Sequence, residues 1–167
     1  MSREATFRGR LDFCSNFYWP FPVRLDGEAY DSVEHAYQAA KFLAPGLRIL
    51  FRSADGIGTT PGEAKKLARK LTAQEHLRKD WEQASLGIME DLVRQKFSLY
   101  PTLREKLLAT GEEELVEGNY WHDNFWGACS CRKCEGREKH NHLGRILMKV
   151  RGEARHGQGA QAAGVLP

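Results

Sequence analysis

The stretch SVEHAYQAAKF, residues 32–42, predicts a short helix that carries an acid, an amide and an amine along one side. Its three alanines favour helix formation. Glu34, Gln38 and Lys41 recur at i, i+4 and i+7, a spacing that places them on one helix face. We call these three residues the polar row.

Two interpretations of the polar row agree with its spacing. In the first, Asp31 caps the helix and Glu34 is its partner in a capping box. Gln38 and Lys41 then belong to a solvated face. In the second, the carboxylate lies close to the amine, where it orients a hydroxyl, stabilises a cationic centre or tunes the amine. Spacing alone leaves both interpretations open.

The segments around this helix predict two short strands before it and more helices after it. PVRLDGEAYDS, residues 22–32, indicates two strands joined by a turn at Asp26 and Gly27. In TTPGEAKKLARK, residues 59–70, Thr60 is the expected cap of a helix and Glu63 its capping-box partner. Apolar periods predict three further helices, over residues 81–97, 101–111 and 141–151. We therefore expect an α+β fold that is predominantly α, with a few short strands.

Size and composition narrow the class of protein. The 167 residues suit one compact domain, and 41% hydrophobic with 28% charged residues is typical of globular proteins. No apolar run approaches the roughly 20 residues that cross a bilayer. Residues 1–10, MSREATFRGR, lack the apolar centre of a secretory signal. We expect a cytoplasmic protein with no membrane partner, and the net charge of +3 permits a polyanionic partner without requiring one.

The C-terminal third contains a long loop and a tail. Residues 115–141 are rich in Gly, Asn, aromatic residues and His, without a period, so they predict a loop held by side chains. Residues 152–167, rich in Gly, Ala and Gln, predict a disordered tail after a domain that spans residues 1–151.

Three of the four cysteines lie in that loop, as Cys129, Cys131 and Cys134. With His140 or His142 they could supply four ligands to a structural zinc ion. Only one Cys-x-x-Cys pair is present, and the two histidines are separated by a single residue, so reduced thiols are the other interpretation. The sequence leaves the choice between them open.

Six ordered segments resemble successive motifs of the NADAR family, also called the YbiA-like family. They are FCSNFYWPFPV, YDSVEHAYQAAKF, EAKKLARK, KDWEQASLGIMEDLVRQKF, LLATGEEELVEGNYWHDNFWG and NHLGRILMKVR, and together they run from residue 13 to residue 151. The resemblance implies a compact, mostly helical α+β domain that binds ADP-ribose-like or ribose-phosphate ligands and hydrolyses N-glycosidic bonds. Family members remove ADP-ribose from guanine in nucleic acid, and one branch acts on early riboflavin-pathway intermediates.

Matched motif by motif, the resemblance also implies roles for individual residues. It implies catalytic roles for Glu34, Lys41 and Asp123. It implies substrate binding by Asn16, Phe17, Gln38, Lys65, Arg69, Trp126, Gly127 and Asn141. The partners it implies are ADP-ribose or ADP-ribosylated nucleic acid as substrate and a cognate ADP-ribosyltransferase toxin encoded nearby. A non-catalytic ADP-ribose reader would need neither Glu34 nor Lys41, so their presence favours an enzyme.

The chemistry of N-glycoside cleavage accounts for these residue types. Breaking a ribosyl C–N bond builds positive charge on the anomeric carbon and negative charge on the departing base. Glu34 and Asp123 could divide the stabilisation of these charges. Alternatively, Lys41 attacks C1 through a Schiff base, which requires a depressed lysine pKa. Neither route uses a metal ion, so no cofactor is required.

Charged and aromatic side chains offer binding groups for the rest of the substrate. Lys65 and Arg69, four residues apart, suit a diphosphate, and their other interpretation is a solvated charged face. Phe17 and Trp126 could stack on a purine. Trp81 lies on the apolar stripe of its predicted helix, so it is expected in the core.

Overall fold

The structure is a computed structural model that describes residues 7–52 and 60–163, with side chains as far as residue 157. The described part does not include residues 1–6, which belong to the N-terminal stretch that was examined for a secretory signal. It also does not include residues 164–167, the end of the expected disordered tail. The α-helices are α1 Val33–Ala39, α2 Pro45–Arg48, α3 Pro61–Ala73, α4 Trp81–Leu99, α5 Pro101–Ala109 and α6 His142–Ala163. The strands are β1 Val23–Leu25, β2 Glu28–Tyr30, β3 Gly118–Asn119 and β4 Ala128–Cys129. The predominantly helical α+β class is confirmed.

The hairpin before α1 is the one that the sequence predicts. β1 and β2 pair antiparallel, with Val23 opposite Tyr30. Asp26 and Gly27 have φ values of 50° and 85°, the left-handed conformation that a two-residue turn needs and that Asp and Gly tolerate. Val23 and Tyr30 are both buried, so the hairpin is fixed on the chain that leads into α1.

The N-terminus of α1 differs from the first interpretation of the polar row. Ser32 is the N-cap, and its hydroxyl accepts a hydrogen bond from His35 N at 3.2 Å. Its extended backbone, with φ of −154°, is what lets the hydroxyl reach the third amide of the helix. Asp31 is therefore not the cap, and Glu34 stands one position too early to be the partner in a capping box.

The C-terminus of α1 also differs, because the helix ends at Ala39 and Lys41 lies in the turn that follows. Arg78 binds the carbonyls of that turn. Its backbone N donates to Lys41 O at 2.8 Å, and its Nη1 donates to Ala40 O at 3.4 Å. Because these carbonyls are satisfied from outside the helix, α1 stops before Lys41.

The capping box predicted for α3 is confirmed. Thr60 caps the helix by accepting from Glu63 N at 3.3 Å, and Glu63 Oε2 accepts from Thr60 N at 2.8 Å. α3 packs against α1, and the residues that these two helices bury include Ala36, Ala64 and Ala68, which have no exposed surface. Small side chains of this kind let two helix backbones approach closely.

The chain divides into two units, residues 16–96 in one and residues 1–15 with 97–167 in the other. The first contains the hairpin, α1, α2, α3 and most of α4. The second contains the loop 115–141 between α5 and α6, in which β3 and β4 pair in parallel. The prediction of one domain that ends at residue 151 stays a prediction.

Helix α6 continues past Arg151 to Ala163, so residues 152–163 are helical where the sequence predicts a disordered tail. Arg151 is buried and donates to Thr110 Oγ1 at 2.7 Å and to Glu113 O at 3.0 Å. Arg155 adds hydrogen bonds to Glu112 and to the Gly111 carbonyl. The sequence predicted disorder here because it has no apolar stripe. The polar contacts of Arg151 and Arg155 stabilise the helix instead.

None of the described helices combines the length and the apolar character that crossing a bilayer requires.

Candidate functional site

The polar row is largely buried within the unit formed by residues 16–96. Glu34 and Gln38 are only 5% and 3% exposed, and Gln38 Nε2 donates to Glu34 Oε1 at 2.7 Å. The solvated-face interpretation, which was made for Gln38 and Lys41, is therefore wrong for Gln38. Burying a carboxylate is costly unless it is paired, so its presence on an interior helix favours a chemical role.

Gln38 presents an unused acceptor beside this carboxylate. Within the described part of the chain, its Oε1 atom is buried and has no hydrogen-bond partner. Its Nε2 is already bound to Glu34, which fixes the orientation of the amide. A buried acceptor without a donor is unfavourable in the protein alone. It is suited to a donor that arrives with a substrate, such as a sugar hydroxyl.

Lys41 lies against two aromatic rings. Its Nζ is 5.7 Å from the ring centroid of Tyr37 and 5.7 Å from that of Trp81. The two rings are themselves 5.0 Å apart, centroid to centroid. The side chain is neither fully exposed nor fully buried, so the amine is partly desolvated yet still reachable.

This environment lowers the pKa of Lys41. Burial is the main cause, because it disfavours the charged ammonium form. Glu34 opposes the shift by its negative charge, and the positive charges of Lys65 and Arg69 add to it. The net result is a lysine whose neutral, nucleophilic amine is more populated near neutral pH than that of an ordinary surface lysine.

Lys65 and Arg69 lie on α3, which packs against the helix of the polar row. Lys65 Nζ is 5.7 Å from the ring centroid of Phe17, and that ring is 40% exposed. The structure therefore brings Lys65 and Arg69 near Lys41. It also places the exposed ring of Phe17 next to Lys65. Their binding to a diphosphate and a base stays a prediction.

Asn16 contacts the first turn of α1. Its carbonyl accepts a hydrogen bond from Glu34 N at 3.1 Å, and its Nδ2 contacts Met89 Sδ at 3.2 Å. The residue is 8% exposed. These contacts position the backbone of Glu34, whereas ligand contact by the Asn16 side chain stays a prediction.

Two aromatic residues of this site do not appear among those predicted from the sequence. Trp81 was expected in the core, but it is only partly buried and borders Lys41. Tyr37 lies three residues after Glu34 and four before Lys41, which is the spacing of neighbours on a helix. That spacing could have identified Tyr37. Nothing in the sequence places Trp81 there, because its position depends on a contact between distant residues, the hydrogen bond from Arg78 N to Lys41 O.

In the other unit, Asp123 closes a turn of the loop 115–141. Its Oδ1 accepts from Phe125 N at 3.0 Å and from Trp126 N at 2.8 Å. Asn119 brackets the same residue, donating from Nδ2 to Asp123 O at 2.6 Å and accepting from Asp123 N at 3.1 Å. The carboxylate thus orients the backbone that carries Trp126. Its catalytic role stays a prediction.

Asn141 and Gly127 also hold this loop together. Asn141 Oδ1 accepts from Glu117 N at 3.0 Å, and its Nδ2 donates to Leu115 O at 2.9 Å. Gly127 lies so close to the backbone of Glu117 that a Cβ on it would overlap the Glu117 carbonyl oxygen. Both residues stabilise the loop, and their contact with a ligand stays a prediction.

Replacing Gly127 tests this close approach. We expect Gly127→Ala to lower the free energy of unfolding by about 2–3 kcal/mol, because the backbone atoms it meets cannot move aside cheaply. Gly87→Ala is the matched control, since a Cβ at this position in α4 meets nothing within 4 Å. It should raise stability by about 0.5–1 kcal/mol. Urea unfolding of both variants measures the difference, and equal stabilities would contradict the assigned contact.

Four side chains of the loop 115–141 bring together atoms that can bind a metal ion. His122 Nδ1 and the thiols of Cys129, Cys131 and Cys134 all lie within 4.8 Å of one another. The three cysteines are those expected from the sequence, but the histidine is different. His140 and His142 stack on each other instead, with ring centroids 5.3 Å apart and planes 7° from parallel. The left-handed φ of 69° at His122 turns its chain toward the thiols.

Comparison with known proteins gives consistent results. A model of the NADAR domain family matches residues 7–155. An N-glycosidase of Nostoc punctiforme is 38% identical over 147 residues, which are 86% of each chain. A riboflavin biosynthesis protein of Vibrio vulnificus is 38% identical over 144 residues, which cover 84% of this chain but 35% of that protein. The NMR structure of Escherichia coli YbiA superposes with a TM-score of 0.74 at 30% identity, covering 95% of this chain and 89% of that one.

Proposed function

The chain belongs to the NADAR domain family, and from this premise we propose that it is an N-glycosidase that removes ADP-ribose from ADP-ribosylated guanine in nucleic acid. The proposal rests on two groups of the polar row: Glu34 is a buried carboxylate, and Lys41 is an amine of lowered pKa that is within the electrostatic influence of Glu34. Binding alone does not require a desolvated amine, whereas cleavage of a ribosyl C–N bond can use one as a nucleophile.

In the reaction we propose, Lys41 acts as the nucleophile. The ribose ring opens when the C1–O bond breaks: the nitrogen of the base forms a C=N bond to C1, and the proton that this nitrogen loses passes to the ring oxygen. The neutral Lys41 amine adds to C1, and Glu34 carries its proton to the base nitrogen. The bond between C1 and the base then breaks as Glu34 transfers the second proton of the Lys41 nitrogen to the base nitrogen, which releases the base and leaves a Schiff base on Lys41. Water hydrolyses that Schiff base, releasing ADP-ribose and restoring the free amine.

Other residues of the polar row's unit suit the remaining parts of the substrate. Gln38 Oε1 lacks a partner within the described residues and would accept from a ribose hydroxyl. Lys65 and Arg69 would neutralise the diphosphate, with Arg69 capable of a bidentate contact. Phe17, exposed beside Lys65, would stack on a base. In the other unit, we propose Trp126 as a second stacking residue and Asp123, whose carboxylate accepts from Trp126 N, as a second catalytic acid, the roles that the family resemblance implies.

Hydrolysis of a ribosylated riboflavin precursor is the second candidate. It is favoured by the relative named as a riboflavin biosynthesis protein, of which this chain spans about a third. The Nostoc punctiforme N-glycosidase, by contrast, is matched over most of its length. ADP-ribose carries two phosphates and a ribose phosphate carries one, so the pair of cations on α3 favours the larger ligand.

We also propose that the enzyme is cytoplasmic. It would reverse the modification made by an ADP-ribosyltransferase toxin that is encoded nearby.

Direct competition between the two substrate classes tests the proposal. We expect hydrolysis of guanine-linked ADP-ribose in single-stranded DNA, and much slower hydrolysis in duplex, because the base must first leave the stack. Mass spectrometry of the modified oligonucleotide follows product formation. Much faster turnover of a ribosylated riboflavin intermediate would replace the proposed substrate with the second candidate, and inactivity on both would refute the enzyme assignment.

A further inference from the structure

We propose that His122, Cys129, Cys131 and Cys134 bind one structural zinc ion. The set of three thiolates and one imidazole is a known ligand set of structural zinc sites. Their four ligand atoms lie within 4.8 Å of one another in a single cluster. This inference is independent of the reaction proposed above.

The distances within the cluster are close to those that one zinc ion imposes. His122 Nδ1 is 3.1 Å from Cys131 Sγ and 3.5 Å from Cys134 Sγ. Bonds of about 2.3 Å to sulfur and about 2.0 Å to nitrogen place neighbouring ligands of a tetrahedral site about 3.5–3.8 Å apart. Shifts of a few tenths of an ångström to about 1 Å would therefore complete the site.

The backbone around the cysteines is also suited to thiolates. Cys131 precedes the short 3-10 turn Arg132–Cys134 and Cys134 ends it, and Cys134 N donates to Cys131 O at 3.0 Å. Cys131 N lies 3.5 Å from Cys129 Sγ and donates to it. An amide that donates to a sulfur favours its anionic form, which is the form that binds a metal ion.

The ligands join three separate pieces of the loop 115–141. His122 follows strand β3, Cys129 belongs to β4, and the remaining two cysteines border the 3-10 turn. Cys129 and Cys134 are buried, and their burial leaves His122 as the ligand nearest to solvent. Three thiolates and an imidazole fill all four positions of a tetrahedron, so no position remains for substrate or water. The ion would therefore support the fold and take no part in the chemistry.

Such an ion would fix both ends of the turn that carries Trp126. The turn begins next to His122 and ends at Cys129, and Asp123 holds its interior by accepting from two backbone amides. Without the ion, the side chains of His122 and Cys129 are held in the cluster by hydrogen bonds to sulfur. Zinc binding thus supplies the rigidity that a Gly-rich and polar loop lacks from apolar packing.

Metal analysis of the purified full chain tests the site. We expect one zinc per chain by elemental mass spectrometry after growth with zinc and purification with a reducing agent. Cobalt(II), exchanged into the same protein, should give the intense thiolate charge-transfer and visible bands of a tetrahedral site. Removal of zinc by a strong chelator should lower Tm, and adding zinc back should restore it.

Matched variants identify the ligands. Cys131→Ser should lose the zinc or bind it at least tenfold more weakly, and His122→Ala should weaken binding and change the cobalt spectrum. His140→Ala and His142→Ala should keep both the stoichiometry and the spectrum of the unchanged protein. Reduced wild-type protein that binds neither zinc nor cobalt would overturn the proposal even if a cysteine variant failed to fold. So would cobalt spectra that change on loss of His140 or His142 and not of His122.

Discussion

Glu34→Gln should lower kcat by about 10²-fold or more at saturating substrate while the protein stays folded. The change is isosteric, and the new amide oxygen can still accept from Gln38 Nε2, which now donates to Glu34 at 2.7 Å. Only the negative charge and the ability to carry a proton are removed. Steady-state kinetics on the preferred substrate, with circular dichroism to check the fold, measure the effect.

Glu63→Gln is the control for this experiment. Glu63 is the exposed capping-box partner of Thr60 on α3, so the same chemical change there affects a helix end and no reacting group. It should leave kcat unchanged and alter stability by less than about 1 kcal/mol. Near-normal turnover by Glu34→Gln would show that the buried carboxylate is structural.

Lys41→Arg should have the larger effect, with loss of about 10³-fold or more in kcat. Arginine keeps the positive charge, but its guanidinium does not deprotonate in proteins and cannot form the Schiff base. Borohydride added during turnover should trap a covalent ADP-ribose adduct on the unchanged protein and none on the variant. Substantial activity in Lys41→Arg would support the direct route, in which the lysine contributes only charge.

The pH dependence of kcat follows from the same residue. Because the folded protein lowers the pKa of Lys41 below its ordinary value of 10.5, the rate should rise with pH through that lowered pKa and then level off. Glu34 raises this pKa and Lys65 lowers it. Removing Glu34 should therefore move the rising limb to lower pH, and Lys65→Met should move it to higher pH. Lys41→Arg should lack the limb, and identical limbs in all variants would assign it to another group.

Local patterns determined the elements around the site. The Asp26-Gly27 turn and the Thr60 capping box were predicted correctly because each depends on a few adjacent residues whose chemistry is met locally. Helical spacing also predicted correctly that Glu34 and Gln38 lie on one face, where Gln38 Nε2 donates to Glu34 Oε1. The family resemblance then supplied the reaction class, which periodicity and composition could not.

Predictions that depended on distant contacts were less successful. The sequence analysis predicted Asp31 as the cap of α1, but Ser32 is the cap, because its backbone is extended and its hydroxyl accepts from His35 N. The disordered tail was predicted from a missing apolar stripe, yet Arg151 and Arg155 hold helix α6 by polar contacts with residues about 40 positions earlier. Such contacts leave no periodic signal.

By itself, the sequence determined that the protein is mostly helical, that the carboxylate of Glu34 and the amide of Gln38 share one helix face, and that three cysteines lie in one loop. The tertiary structure decided that the carboxylate is buried, that Trp81 borders Lys41, and that His122 faces the thiols in place of His140 or His142. The physical reason is that spacing fixes neighbours only within one regular element. Burial, a lowered lysine pKa and a set of metal ligands arise from side chains that the folded backbone brings together across the chain.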